Sequence, residues 1–184
     1  MPKAMAICGH ICSGKSRVIN HLSNEYRWAV ISFGNYVKHL AQRECLPATR
    51  DSYQALGQKL LEGKGPKQFL LDVIEFHNPT SPLHLFDGVR HTSIIDELRQ
   101  MYEGLSIIYL QVSDAVRYER FLKRRKKDEP LFSLTEFLAL SEHPIERGIS
   151  AIASVADQSI DGSTSFAQVL AKVKSLLEEQ VLLR

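Results

Sequence analysis

One octapeptide constrains this chain more than any other feature. Gly9-His10-Ile11-Cys12-Ser13-Gly14-Lys15-Ser16 satisfies the pattern G-x-x-x-x-G-K-[ST] in full. Its glycines let the backbone wrap around an anion, so that amide N–H groups and the start of the next helix face a phosphate. In such a loop Lys15 reaches the β- and γ-phosphates of a nucleoside triphosphate, and the Ser16 hydroxyl holds Mg²⁺. Gly9, Ser13, Gly14, Lys15, Ser16 and Arg17 are therefore the expected triphosphate contacts. The motif needs a strand before it and a helix after it. An apolar run at 4–8 and a helical pattern at 15–25 supply both.

The rest of the chain continues the alternation. Apolar runs without clean two-residue periodicity at 28–32, 83–87 and 106–112, with a short one at 158–161, read as strands buried on both faces. Helical patterns fall at 34–44, 52–61, 67–76, 94–102, 114–126, 134–140, 145–155 and 166–177. Prolines lie between the elements, at Pro66, Pro79, Pro82, Pro130 and Pro144. The expectation is an α/β fold, a parallel five-stranded sheet with helices on both faces. The gap from 33 to 82 exceeds what one crossover requires, so a helical insertion belongs there.

At 184 residues, 44% hydrophobic and 24% charged, the chain suits one globular domain. A net charge of +2 does not argue for nucleic acid or a membrane surface. No apolar run approaches a membrane span, and the first residues lack the apolar core of a signal peptide. Three cysteines, Cys8, Cys12 and Cys45, cannot all pair, which suits a reducing compartment; the cytoplasm is expected. Cys8 and Cys12 with His10 imitate a metal site, but the only other cysteine is the distant Cys45, and Cys8 ends an apolar strand, where a buried thiol behaves as a small hydrophobe. The seven histidines show no i, i+3 or i, i+4 pair.

Two acidic segments compete for the role of metal support. Ile94-Ile95-Asp96-Glu97 imitates the apolar strand ending in Asp-Glu of motor-type ATPases, but Ser93 before it reads better as a helix start. The better strand is Leu83-His84-Leu85-Phe86-Asp87, followed by Gly88-Val89-Arg90. Asp87 then stands at the carboxyl edge of the sheet, where open α/β folds bind ligands, and can support Mg²⁺ or the acceptor hydroxyl. Arg90, past a glycine turn, can grip a phosphate with both prongs of its guanidinium. No Asn-Lys-x-Asp segment for reading guanine occurs.

Asp87-Gly88-Val89-Arg90 resembles the Asp-Gly-aromatic-Pro-Arg segment of adenylate-kinase-type nucleoside monophosphate kinases, without the proline. Residues 31–38, Ile-Ser-Phe-Gly-Asn-Tyr-Val-Lys, are similar to their Ser-x-Gly-Asp-x-x-Arg acceptor segment, with Asn35 for Asp and Lys38 for Arg. Residues 160–163, Ile-Asp-Gly-Ser, resemble the late Asp-Gly-Thr turn of those kinases, whose backbone contacts adenine, which implies that role for Gly162. Residues 156–163 resemble the terminal D-x-x-I-x-x-G-S element of dephospho-CoA-kinase-like predicted nucleotide kinases, with one residue fewer before the glycine. The resemblance implies a three-layer P-loop kinase fold with core segments 1–33, 82–125 and 145–184, an acceptor-binding insertion at 34–81 and a lid at 126–144. It implies transfer of the γ-phosphoryl group of ATP, with Mg²⁺, to a small nucleotide-like acceptor, most simply a nucleoside monophosphate.

Basic residues crowd one helix. Arg117, Arg120 and Arg124 share a face by their spacing, and in a kinase Arg120 and Arg124 would reach the transferring phosphoryl group on lid closure. The insertion offers Phe33, Tyr36 and Tyr53 for stacking a base, with Lys38 and Arg50 beside Arg90 for an acceptor phosphate. The partner is a small molecule, with no membrane and no expected nucleic acid, and the protein a monomer or homodimer. Three rivals share the loop. Dephospho-CoA kinase phosphorylates a ribose hydroxyl and gives Lys38 and Arg50 less reason to converge. An ATP-binding sensor needs neither Asp87 nor the arginines, and a nucleic-acid-associated ATPase would use the basic helix.

Overall fold

The computed structural model describes residues 3–124, 132–141 and 144–178. Five parallel strands, β1 (Lys3–Cys8), β2 (Ala29–Ser32), β3 (Leu83–Asp87), β4 (Leu105–Gln111) and β5 (Gln158–Asp161), form one sheet in the order β2-β3-β1-β4-β5. Strand β1 is central, paired with β3 on one side and β4 on the other. Alternation along it feeds two cores. Ala4, Ala6 and Cys8 face one apolar layer, while Met5 and Ile7 face the other.

The second of those layers is closed by α1 (Lys15–Tyr26) and α8 (Phe166–Leu177), through Val18, Ile19 and Leu22 on one and Val169, Leu170 and Val173 on the other. Ser165 starts α8 with a capping box completed by Gln168. The opposite layer holds α2 (Phe33–Arg43), α3 (Arg50–His77), α4 (Thr92–Met101) and α7 (Pro144–Val155). Helices α5 (Asp114–Arg124) and α6 (Leu134–Ser141) follow β4. Tyr118 and Phe121 of α5 meet Phe137 of α6 with ring centroids 5.6 and 5.0 Å apart.

The expected α/β architecture is present, with helices on both faces of the sheet. The insertion between β2 and β3 differs from expectation in one respect. The patterns at 52–61 and 67–76 are two helical segments of α3 that meet at a kink, Gly65 (φ 75°, ψ 161°), with less chain between them than expected. Helical backbone continues through Glu62, Gly63 and Lys64, and the break is confined to the residue preceding Pro66. Of the expected lid at 126–144, residues 125–131 and 142–143 lie outside the described residues. Among the described residues no helix is long and apolar enough to cross a membrane.

Candidate functional site

Three strand ends meet at the carboxyl edge of the sheet. The register pairs Ile7 with Asp87 and Ser32 with Asp87, so the start of the phosphate loop, the acid and the first turn of α2 lie side by side. Ser32 does two jobs there. Its Oγ accepts from the Asn35 amide, which starts α2, and donates to Asp87 Oδ2 at 3.3 Å, which orients the carboxylate. His77 at the end of α3 hydrogen-bonds the Ser32 backbone at 3.0 Å, tying the far end of the insertion to the same point.

Lys15 is turned into its own loop. Its Nζ donates to the carbonyls of Gly9 at 2.5 Å and His10 at 2.8 Å. Burial pushes the ammonium down to about 8, although Asp87 pulls it the other way. The Cys8 thiol beneath the loop is pushed up to about 12 by burial, so it is a small hydrophobe and not a ligand-ready thiolate.

One cleft of about 490 Å³ collects most of the residues that the sequence singles out. Gly9, Lys15 and Ser16 line it from the loop, Asp87 and Arg90 from the β3 end, Lys38 and Arg50 from the insertion, and Arg124 from α5. Tyr53 is also on its wall. Tyr36 is not: it is buried between α2 and α3 against Phe69 and Phe76, with its hydroxyl on Asp72. Phe33 likewise packs edge-on against Phe69 at 5.5 Å and lines an apolar recess of about 70 Å³ that shares Gly34, Gly88 and Arg90 with the cleft. Both rings expected to stack on an acceptor base are thus largely buried. Each is an apolar residue on the inward face of α2, and the sheet claims it for the core.

A second groove, of about 280 Å³, runs from Cys12, Ser13 and Gly14 along Arg17 to Arg120 and Arg124. It continues into a space of about 250 Å³ walled by Arg17, Arg120, Gly162 and Phe166. Arg17 lies over the Phe166 ring, 3.9 Å from its centroid. Arg120, expected to arrive only on closure, is already docked. Its guanidinium donates to the carbonyls of Ser13 at 3.3 Å and Gly162 at 2.7 Å, with Cys12 O at 3.5 Å. Arg117 does not share its surroundings: it is buried, paired with Asp114 and set against Phe137.

Glu146, on the first turn of α7, escapes the sequence analysis. There it looks like an ordinary acid at a helix start. In the fold its carboxylate is buried, and one oxygen, Oε1, accepts from both Arg50 and Arg90 at 2.7 Å. Oε2 faces His10 of the phosphate loop, whose Nδ1 lies 3.6 Å away, while His10 Nε2 is 3.0 Å from Ser150 Oγ. Burial alone would raise the Glu146 carboxyl, but His10, Arg90 and Arg50 outweigh it and hold it down at about 2. No local signal finds this residue, because its partners lie 136, 96 and 56 positions away in sequence.

A hydroxyl and a carboxylate on one cleft wall are hard oxygen donors, and with water they suit Mg²⁺. Ser16 and Asp87 are the residues that fit it.

No family model matches the chain. It is similar to a UPF0200 protein of Pyrococcus furiosus, 25% identical over 153 residues that cover 80% of this chain and 82% of the relative. A UPF0200 protein of Pyrobaculum aerophilum is 26% identical over 170 residues, 92% of this chain and 93% of the relative. Among solved structures, shikimate kinase from Bacteroides thetaiotaomicron superposes with a TM-score of 0.59 at 14% identity, covering 97% of this chain and 98% of that one. A gluconokinase from Sinorhizobium meliloti gives 0.55 at 20% identity, covering 98% of each. The fold is that of the P-loop kinases.

Proposed function

We propose that this chain is an ATP-dependent phosphotransferase whose acceptor is a small phosphate-bearing molecule, most simply a nucleoside or deoxynucleoside monophosphate. The observation that carries this reading is the single cleft in which the phosphate loop faces Asp87, Arg90, Lys38 and Arg50. A triphosphate seated on Gly9–Ser16 presents its terminal phosphoryl group to that cleft, with the base directed toward Arg17, Gly162 and Phe166. Lys15 leaves its two carbonyls for the β/γ-oxygens, and its charge offsets the charge that develops there. Ser16 and Asp87 would hold Mg²⁺, which would supply neutralisation of charge on the phosphates. Asp87, oriented by Ser32, would support the metal beside the attacking phosphate oxygen of the acceptor. Arg124, on the cleft wall from α5, would meet the transferring group.

The convergence of Lys38 and Arg50 with Arg90 favours an acceptor that reacts through a phosphate monoester over dephospho-CoA, which carries a diphosphate but reacts through a ribose hydroxyl. Positioning and charge neutralisation supply most of the catalysis in such a site, so no covalent nucleophile is required. A cytoplasmic location is part of the proposal, supported by the three free cysteines. The test is ADP release from ATP and Mg²⁺ with nucleoside monophosphates, their deoxy forms and dephospho-CoA. Shikimate and gluconate, named by the structural neighbours, complete the panel. Rates that rise with a monophosphate support the proposal; background rates throughout, with ATP still bound, shift it to an ATP-binding sensor.

A further inference from the structure

The acceptor arginines do not stand alone in the cleft. Arg50 comes from the start of α3 and Arg90 from the turn after β3, yet both guanidinium groups converge on the same Glu146 oxygen at 2.7 Å. The layering is unequal: Glu146 is 1% exposed, Arg50 31% and Arg90 39%. The carboxylate is therefore the floor and the guanidinium groups are the wall. A molecule entering the cleft meets the arginines before it can meet Glu146, and each arginine retains N–H donors beyond the one given to Oε1. Such an arrangement positions; it does not compete.

The backbone is built for this contact. A Cβ at Gly148 would lie 2.5 Å from the Arg90 carbonyl, so only glycine lets α7 approach the Arg90 turn closely enough for Glu146 to reach beneath it. The same helix carries Ser150, which holds His10 of the phosphate loop, while His10 faces the second oxygen of Glu146. Gln54 adds a donor 3.5 Å from Oε1.

Resting on the cleft as an acceptor site, we propose that Glu146 is its positioning residue: one buried carboxylate fixes Arg50 and Arg90 for an incoming phosphate and links them, through His10, to the triphosphate loop. The class of ligand that follows is a phosphate monoester held by two guanidinium groups whose spacing a third, buried charge has set. Removing the carboxylate charge leaves two like-charged guanidinium groups with no counter-charge between them, which loosens their fixed geometry.

The test uses the full chain labelled with ¹⁵N-arginine, with Arg50→Lys and Arg90→Lys to assign signals. In the wild type, Nη resonances of Arg50 and Arg90 should be individually resolved at neutral pH, because a carboxylate partner slows guanidinium rotation. Inorganic phosphate should shift both. In Glu146→Gln, with the backbone spectrum otherwise superimposable, these resonances should merge, and the phosphate Kd read at Arg50 and Arg90 should weaken by about tenfold or more, the loss of one charge-assisted contact. Glu146→Asp should recover part of both effects. Unchanged or tighter phosphate binding in Glu146→Gln would overturn the proposal, as would averaged Nη signals in the wild type, a readout that needs no variant to fold. If no acceptor on the panel is phosphorylated, the kinase reading fails while the phosphate titration still decides the role of Glu146.

Discussion

Lys15 is the residue whose surroundings make the sharpest statement about pH. Its ammonium is satisfied by two loop carbonyls, yet burial lowers it to about 8. Above that value the empty loop loses its positive charge, so ATP affinity should fall as pH rises, by up to about tenfold per unit. Calorimetric titration with ATP from pH 7 to 9.5 checks this: proton uptake should accompany binding in the upper part of the range. The effect on stability has the opposite sign. Between about 8 and the ordinary 10.5 the unfolded chain binds more protons, so this group makes the empty fold more stable as pH rises. At the reacting centre, Lys15→Ala and Asp87→Asn should each lower turnover by roughly a hundredfold or more with the circular dichroism spectrum intact. Near-normal turnover in both variants would remove the kinase reading.

The insertion is where element-scale physics is easiest to measure. Gly65 holds φ 75° and ψ 161°, a conformation open essentially to glycine, and a Cβ there would meet nothing within 4 Å. Gly65→Ala should therefore cost only backbone strain, about 1–3 kcal/mol, visible as a lowered Tm. Loss of ATP binding in that variant would mean that the break also shapes the site. The sequence marks this break through Gly65-Pro66 but places it too early, because Gly63 and Lys64 look like loop and are helical. Strand β3 is legible to the residue, since its apolar run ends at a polar turn, and β5 falls within its expected bounds although only Ile160 in it is apolar and buried. The phosphate loop is legible because its chemistry is contiguous. Glu146 is not, since its meaning lies in arginines from other elements, and Tyr36 misleads because a ring on an inward face looks the same as one on a cleft.

At the scale of the whole molecule, Arg120 joins three parts of the chain that follow the neighbouring strands β1, β4 and β5. It leaves α5 and reaches the phosphate loop at Ser13 and the turn after β5 at Gly162. Arg120→Ala should release that turn: hydrogen exchange at Gly162 and Ser163 should quicken, and ATP affinity should drop about tenfold, as expected for a charge-assisted contact. Exchange rates equal to those of the wild type would show that strand pairing alone holds β5 in place.

The floor of the cleft has a consequence for the entropy of binding. A free arginine or lysine gives up about 1.5–2 kcal/mol of rotamer freedom when it is immobilised. Arg50 and Arg90, held by Glu146, and Lys15, held by its own carbonyls, give up much of theirs when the chain folds. An anion arriving later is gripped by side chains that have little disorder left to lose, so more of the contact energy remains as affinity.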